Sequence, residues 1–175
     1  MLLDTHRISS FSYKPANIKN ILDNNSNLPS GVSTSPYPFK GTGFSVHSPV
    51  NIHVYDSSGN HTGPTPDGDF EANIPGSSYD TLDDAKFIFL PDEGNYTVKF
   101  EATDQGSFDF KIRKFENDTN TSTILYNNIP LTTNTKAETT FDTLSTEIPI
   151  LKLDQDGDGT KDQDVNATSI LTDNE

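Results

Sequence analysis

Apolar and polar residues alternate along much of this chain from residue 43 onward. The clearest stretch contains Val50, Ile52 and Val54, with Asn51 and His53 between them. Because successive side chains of a strand point to opposite faces of its sheet, this period of two predicts a strand with one buried face. Residues after 43 are therefore expected to form β-strands rather than helices.

Turn signals separate these strands, such as the Gly- and Asn-containing Asp56–Asn60. The apolar run in Lys86–Leu90 predicts a central strand covered on both faces. Phe115 is out of phase with the residues before it, which predicts a bulge near residues 113 and 114. Further strands are predicted at residues 70–74, 96–102, 108–112, 123–126, 137–141, 148–153 and 165–171.

The strand spacing predicts an all-β module at residues 43–175, an antiparallel, immunoglobulin-like β-sandwich of about eight strands that ends in a calcium-loop hairpin. Before it, residues 1–28 form an irregular, partly helical segment in our interpretation, because the apolar residues of Ile18–Leu22 recur at helical spacing. Residues 29–42 are rich in Pro, Gly and Ser and are interpreted as a linker.

Composition narrows the possible functions. The 175 residues carry a formal net charge of −14, from 26 acidic and 12 basic residues, which disfavours nucleic acid and anionic membranes as partners. No stretch approaches the roughly 18 apolar residues that cross a bilayer. With no cysteine and 31% hydrophobic residues, the chain has no disulfides and room for only a modest core. A bound metal ion could stabilise the fold in place of disulfides.

An Asp-rich loop at residues 154–164, Asp-Gln-Asp-Gly-Asp-Gly-Thr-Lys-Asp-Gln-Asp, has the spacing of a calcium site. Counted from its first Asp, side chains fall at positions 1, 3 and 5, a glycine at 6, a backbone carbonyl at 7 and an acid at 9. Val165 stands at position 12, where a bidentate acid is expected. The alternative is a solvated acidic turn. The predicted Ca²⁺ ligands are Asp154, Asp156, Asp158, Thr160, Asp162 and Asp164, with either Asp164 or a water completing the shell.

This loop resembles the calcium loops of thrombospondin type 3 repeats and dockerins, without their second copy or helices. The stretches Phe44–Gly63, Ile74–Tyr79 and Leu90–Val98 resemble a family of β-sandwich modules at the C-termini of secreted or surface prokaryotic proteins, archaeal ones included. Members often follow an α/β-hydrolase domain. The resemblance covers about residues 43–171 and implies an accessory module without activity of its own.

Two further segments are candidates for catalysis. His6 before the short helix is similar to the end of an α/β-hydrolase domain, although a surface histidine is the preferred interpretation. Gly43–His47 has only part of a nucleophile elbow, since a strand follows where a helix should begin. The sequence therefore predicts no enzyme in this chain, whereas the parent protein could be a hydrolase.

Histidines and acids in the first strands offer other candidate sites. His53 and His61 could pair with Asp56 as a metal or acid–base site, but cross-strand packing is preferred. Asp67 and Asp69 could join Asp56 in a second cation site, but solvated turn acids are preferred.

These observations predict a non-catalytic, calcium-stabilised extracellular module that spaces, stabilises or docks a larger secreted or surface protein. Its expected partners are a neighbouring domain and, beyond that, a surface polysaccharide or protein. The first residues do not have the pattern of a signal peptide, so with an extracellular location we expect this chain to be the C-terminal part of a longer precursor. One alternative is the C-terminal fragment of a secreted α/β-hydrolase. Another is a carbohydrate-binding module that uses Tyr37, Phe39, Tyr55 and Tyr79.

Overall fold

The computed structural model describes residues 39–47, 49–91 and 94–172. Within these ranges the chain forms strands, turns and irregular segments without a helix, and the strands pair in two antiparallel sheets. The all-β, antiparallel prediction is confirmed. The segment at residues 1–28 with its predicted helix, and most of the linker, lie outside the described residues.

The described residues form thirteen strands where about eight were predicted. The additional strands are mostly three to five residues long and too polar for alternation to reveal them. One sheet has the order β13-β9-β8-β1-β6-β5 and the other the order β12-β11-β10-β7-β2-β3-β4. The strands are β1 (Gly41–His47), β2 (Val50–Asp56), β3 (His61–Pro64), β4 (Phe70–Ala72), β5 (Ser78–Leu82), β6 (Ala85–Pro91), β7 (Asn95–Ala102), β8 (Gly106–Glu116), β9 (Thr119–Leu131), β10 (Lys136–Asp142), β11 (Leu151–Asp154), β12 (Gln163–Val165) and β13 (Ser169–Thr172).

Aromatic rings from both sheets meet in the core of the sandwich. Phe44 of β1 packs edge-on against Phe141 of β10, with ring centroids 5.3 Å apart. Phe100 of β7 packs against Phe110 of β8 at 4.8 Å. All four side chains are at most 3% exposed. Burying each ring contributes about 1.5–3 kcal/mol, so a few Phe residues compensate for the low apolar content.

The strand covered on both faces is β1, not β6 as the apolar run in Lys86–Leu90 had predicted. Strand β1 lies between β6 and β8. Its outward-facing Gly41 and Gly43 have no side chain, which lets Phe39, Phe89 and Phe115 pack above them. In β6, which has only the edge strand β5 on its other side, the outward phenylalanines stay partly exposed.

The register of β8 and β9 shifts between Lys114 and Phe115, at the position of the predicted bulge. The extra residue is Thr121 of β9, because Lys114 pairs with Ser122 and Phe115 with Asn120. Phe115 simply faces outward by regular alternation, so the bulge is present but its inferred cause was wrong.

The acidic loop joins β11 to β12 in a hairpin at the edge of the seven-stranded sheet, with Leu151 opposite Val165. The predicted strand at residues 165–171 is in fact two strands in different sheets, since β13 pairs with β9. None of the described residues belongs to a helix with the length and hydropathy needed to span a membrane.

Candidate metal centre

Asp154 is the innermost acid of the loop, with 1% of its surface exposed. Its Oδ1 accepts a hydrogen bond from the Gly157 amide at 2.8 Å, and its Oδ2 accepts one from the Gly159 amide at 3.0 Å. Both glycines have positive φ, 76° and 92°, so the chain can curl back around the carboxylate. These two donors offset part of the cost of burying a charged group.

Asp156 and Asp162 converge on Asp154. One carboxylate oxygen from each of the three lies within 4.8 Å of the others, and among the described residues this is the one group of three or more such side chains that could hold a metal ion. Asp162 also holds the loop closed, because its Oδ2 accepts a hydrogen bond from the Gln155 amide at 2.8 Å. Three carboxylates at this separation repel one another, and together they could hold a metal ion.

The remaining predicted ligands lie outside this group of carboxylates. Asp158 Oδ1 accepts a hydrogen bond from the Thr160 amide at 2.6 Å, which stabilises the turn. Asp164 lies in β12 opposite Lys152 of β11. Thr160 was expected to contribute its backbone carbonyl rather than its side chain.

The loop packs against the turn between β9 and β10, a contact that sequence reasoning missed. The hydroxyls of Thr132 and Thr135 both donate to the Gln155 carbonyl, at 2.7 and 3.1 Å. Gly157 approaches the same turn so closely that a Cβ there would lie 2.6 Å from the Asn134 carbonyl oxygen. No local signal predicts these contacts, because the partners are 20 or more residues apart in sequence.

His53 and His61 pack across β2 and β3 with ring centroids 5.2 Å apart, as the preferred interpretation predicted, and the alternative pairing with Asp56 is not formed. Asp56 instead accepts hydrogen bonds from the Ser58 amide at 2.9 Å and from the Asn60 amide and side chain at 2.8 and 2.7 Å. Burial acts to raise the pKa of the Asp56 carboxyl, but these hydrogen bonds stabilise the carboxylate and lower the pKa overall. Asp67 and Asp69 lie in the exposed Thr65–Asp69 turn.

Ser45, the serine of the partial nucleophile elbow, is buried in the middle of β1. Its Oγ accepts a hydrogen bond from the Arg113 guanidinium at 3.2 Å. A serine within a paired strand lacks the sharp strand-to-helix turn that presents a nucleophile. His6, the other catalytic candidate, lies outside the described residues.

The aromatic residues considered for carbohydrate binding pack against other rings. Phe39 contacts Phe89 and Phe115, and Tyr79 stacks on Phe70 at 4.7 Å. Tyr55 stacks on a histidine, His61, also at 4.7 Å. Tyr37 lies outside the described residues. These contacts give the three described rings a structural role.

Comparison of this chain with protein-family models, with curated proteins and with solved structures found no match. The resemblance to C-terminal sandwich modules therefore stays a prediction based on sequence motifs. The capacity of the acidic loop to bind a metal is inferred from the positions of Asp154, Asp156 and Asp162.

Proposed function

We propose that this chain is a non-catalytic, calcium-stabilised β-sandwich module that spaces, stabilises or docks a larger extracellular protein. The observation that carries the proposal is the convergence of Asp156 and Asp162 on the buried carboxylate of Asp154. Oxygen-only ligands favour a hard cation, and the Asp-x-Asp-x-Asp-Gly spacing of the loop favours Ca²⁺ among these.

The size of the cluster also supports Ca²⁺. Oxygen ligands lie about 2.3–2.6 Å from a calcium ion, so two ligands on opposite sides are about 4.6–5.2 Å apart. The three carboxylate oxygens lie within 4.8 Å of one another, which fits one ion bound by all three. Ca²⁺ takes six to eight ligands, so backbone carbonyls of the loop and waters would complete the shell.

The ion would act mechanically. The ion neutralises part of the −14 net charge of the chain. It also removes the repulsion among the three carboxylates that the fold brings together. Because the loop joins β11 to β12 and packs against the β9–β10 turn, its closure fixes an edge of the seven-stranded sheet. Binding free energy is then gained as folding free energy, about 2.7 kcal/mol at an ion concentration 100 times the Kd.

Thermal unfolding with and without Ca²⁺ tests this proposal. In about 10 mM Ca²⁺, roughly 10–100 times the Kd of extracellular calcium modules, the Tm of chelator-treated protein should rise by about 3–10 °C, and Mg²⁺ should have a smaller effect. Asp156→Asn should remove the shift. Asp67→Asn is the matched control, because it removes the same charge from an exposed turn elsewhere and should leave the shift intact. A Ca²⁺ shift that persists in Asp156→Asn, or no shift in the wild-type protein, would refute the proposal.

Binding to a surface polysaccharide is the second candidate function. The exposed aromatics that suggested it pack against other rings, and the absence of Trp also weighs against it. Retention on insoluble polysaccharides tests this function, and absence of retention across a panel of glycans would exclude it.

A further inference from the structure

A chain of hydrogen-bonded side chains lies on the outer face of the seven-stranded sheet, apart from the acidic loop. His53 Nδ1 of β2 lies 3.0 Å from His61 Nε2 of β3. His61 Nδ1 in turn lies 2.6 Å from Glu71 Oε1 of β4. Asn73 donates its side-chain amide to the other Glu71 oxygen at 2.8 Å. Each of three adjacent strands thus contributes one ionisable group.

Glu71 determines which nitrogen of His61 carries a proton. A carboxylate accepts hydrogen bonds only, so His61 Nδ1 is the donor and a neutral His61 presents the lone pair of Nε2 to His53. Stacking of the Tyr55 ring at 4.7 Å holds the same imidazole in place. A histidine oriented by a carboxylate through its second ring nitrogen is the usual arrangement around a protein-bound metal ion.

Burial lowers the pKa of His53, while Glu101 acts in the opposite direction, so the neutral imidazole that binds metals is favoured. When neutral His53 carries its proton on Nε2, its Nδ1 and the Nε2 of His61 present two lone pairs 3.0 Å apart. Two nitrogens about 2.0–2.1 Å from one ion have this separation when the angle at the ion is about 90–97°.

We propose that His53 Nδ1 and His61 Nε2 form a site for a divalent transition-metal ion, with Cu²⁺ bound in preference to Zn²⁺. The near-right angle suits the tetragonal geometry of Cu²⁺, which also has the highest affinity in its series for nitrogen ligands. The histidines line a surface cleft of about 610 Å³ with Asn51, Glu71 and Glu101, which leaves room for waters as the remaining ligands. Two acidic side chains make this cleft favourable for a cation.

This site differs in chemistry from the acidic loop. Imidazole nitrogens select borderline transition metals, whereas carboxylates select Ca²⁺ and Mg²⁺. Excess Ca²⁺ should therefore occupy the loop and leave the histidine pair free. The two sites can be tested separately in one protein.

The test is a Cu²⁺ titration of the full, untagged chain in excess Ca²⁺, followed by electron paramagnetic resonance. The wild-type spectrum should show two equatorial imidazole nitrogens. His61→Gln should weaken binding at least tenfold, and Glu71→Gln about tenfold, because loss of an orienting carboxylate commonly costs 10–100-fold in metal affinity. His47→Gln is the matched control, since His47 is exposed at the end of β1 and should not affect binding.

The spectrum of the wild-type protein decides the question even if a variant fails to fold. Long-range proton–nitrogen NMR with Zn²⁺ provides a second wild-type measurement, and His53 Nδ1 and His61 Nε2 should be the nitrogens that shift. The proposal is overturned if only His6 or His47 responds, if the copper spectrum lacks two nitrogen ligands, or if a folded His61→Gln binds as tightly as wild type.

Discussion

The hydroxyl of Tyr126 donates a hydrogen bond to the backbone carbonyl of Pro149 inside the sandwich. Tyr126 belongs to β9 of the six-stranded sheet, and Pro149 precedes β11 of the seven-stranded sheet, so this bond connects the two layers. The tyrosine is 1% exposed, and its ring stacks on Phe110 at 5.6 Å. It thereby positions the segment that leads into the acidic hairpin.

Removing this hydroxyl should destabilise the protein. In Tyr126→Phe the ring packing remains, but the buried Pro149 carbonyl loses its donor, so the free energy of unfolding should fall by about 1–3 kcal/mol. Urea denaturation measures the change. Tyr55→Phe, in a partly exposed residue of β2, should change stability by less than about 0.5 kcal/mol. Equal effects of the two substitutions would show that the bond to Pro149 contributes nothing.

The same tyrosine should make stability fall at alkaline pH. Burial raises the pKa of Tyr126 to about 12, against the ordinary value of 10.0 in the unfolded chain. Because the pKa of Tyr126 is higher in the folded than in the unfolded protein, the stability that Tyr126 contributes is fully present below pH 10. This stability is lost as the pH rises from about 10 to 12. The difference in unfolding free energy between wild type and Tyr126→Phe should shrink over that range. A difference independent of pH would contradict the raised pKa.

The two glycines that curl around Asp154 should respond differently to substitution. Both have positive φ, so alanine at either position should cost about 1–2 kcal/mol. At Gly157 the new Cβ would also lie 2.6 Å from the Asn134 carbonyl oxygen, whereas at Gly159 it meets no atom within 4 Å. Gly157→Ala should therefore be the more destabilising and should also weaken Ca²⁺ binding more. Denaturation and Ca²⁺-dependent Tm shifts of the two variants would show this order, and the reverse order would contradict it.

Close packing around β1 gives another prediction. A Cβ at Gly41 would lie 2.4 Å from the backbone carbonyl oxygen of Leu90, which cannot move without breaking the pairing of β1 with β6. Gly41→Ala should destabilise the protein by about 1–3 kcal/mol. Gly43→Ala is the comparison, because its nearest contacts are the rings of Phe89 and Phe115, at 3.0 and 3.2 Å, which can shift. A smaller effect at Gly41 than at Gly43 would contradict this account.

Alternation in the sequence predicted the central strands well and the short ones poorly. Residues 50–54 and 96–102 became β2 and β7, because each buries one face against a core that needs those side chains. At residues 70–74 the predicted phase is kept, but the predicted burial is not. Ala72 pairs with the buried Thr62, and Phe70 on the same face stacks on Tyr79 of the other sheet, yet Phe70 is 56% exposed because β4 is an edge strand. Glu71 lies on the opposite face, beside His61.

The acidic loop was visible in the sequence because its residues are close together in the chain. Spacing alone could not separate Asp156, which joins the carboxylate group, from Asp158, whose carboxylate turns to the Thr160 amide. The pairing of His61 with Glu71 was also missed. It depends on how β3 pairs with β4, and neither strand has a pattern long enough to predict that register.

Residue-resolved NMR during a Ca²⁺ titration tests whether one ion binds among Asp154, Asp156 and Asp162. Binding of one ion per chain should give saturable shifts of the Gly157 and Gly159 amides. The expected Kd is on the order of 10⁻⁴–10⁻³ M, as for extracellular calcium modules. Asp162→Asn should abolish these shifts while the rest of the spectrum keeps its folded pattern. Shifts that do not saturate, that sodium chloride reproduces at equal ionic strength, or that persist in Asp162→Asn would contradict the claim.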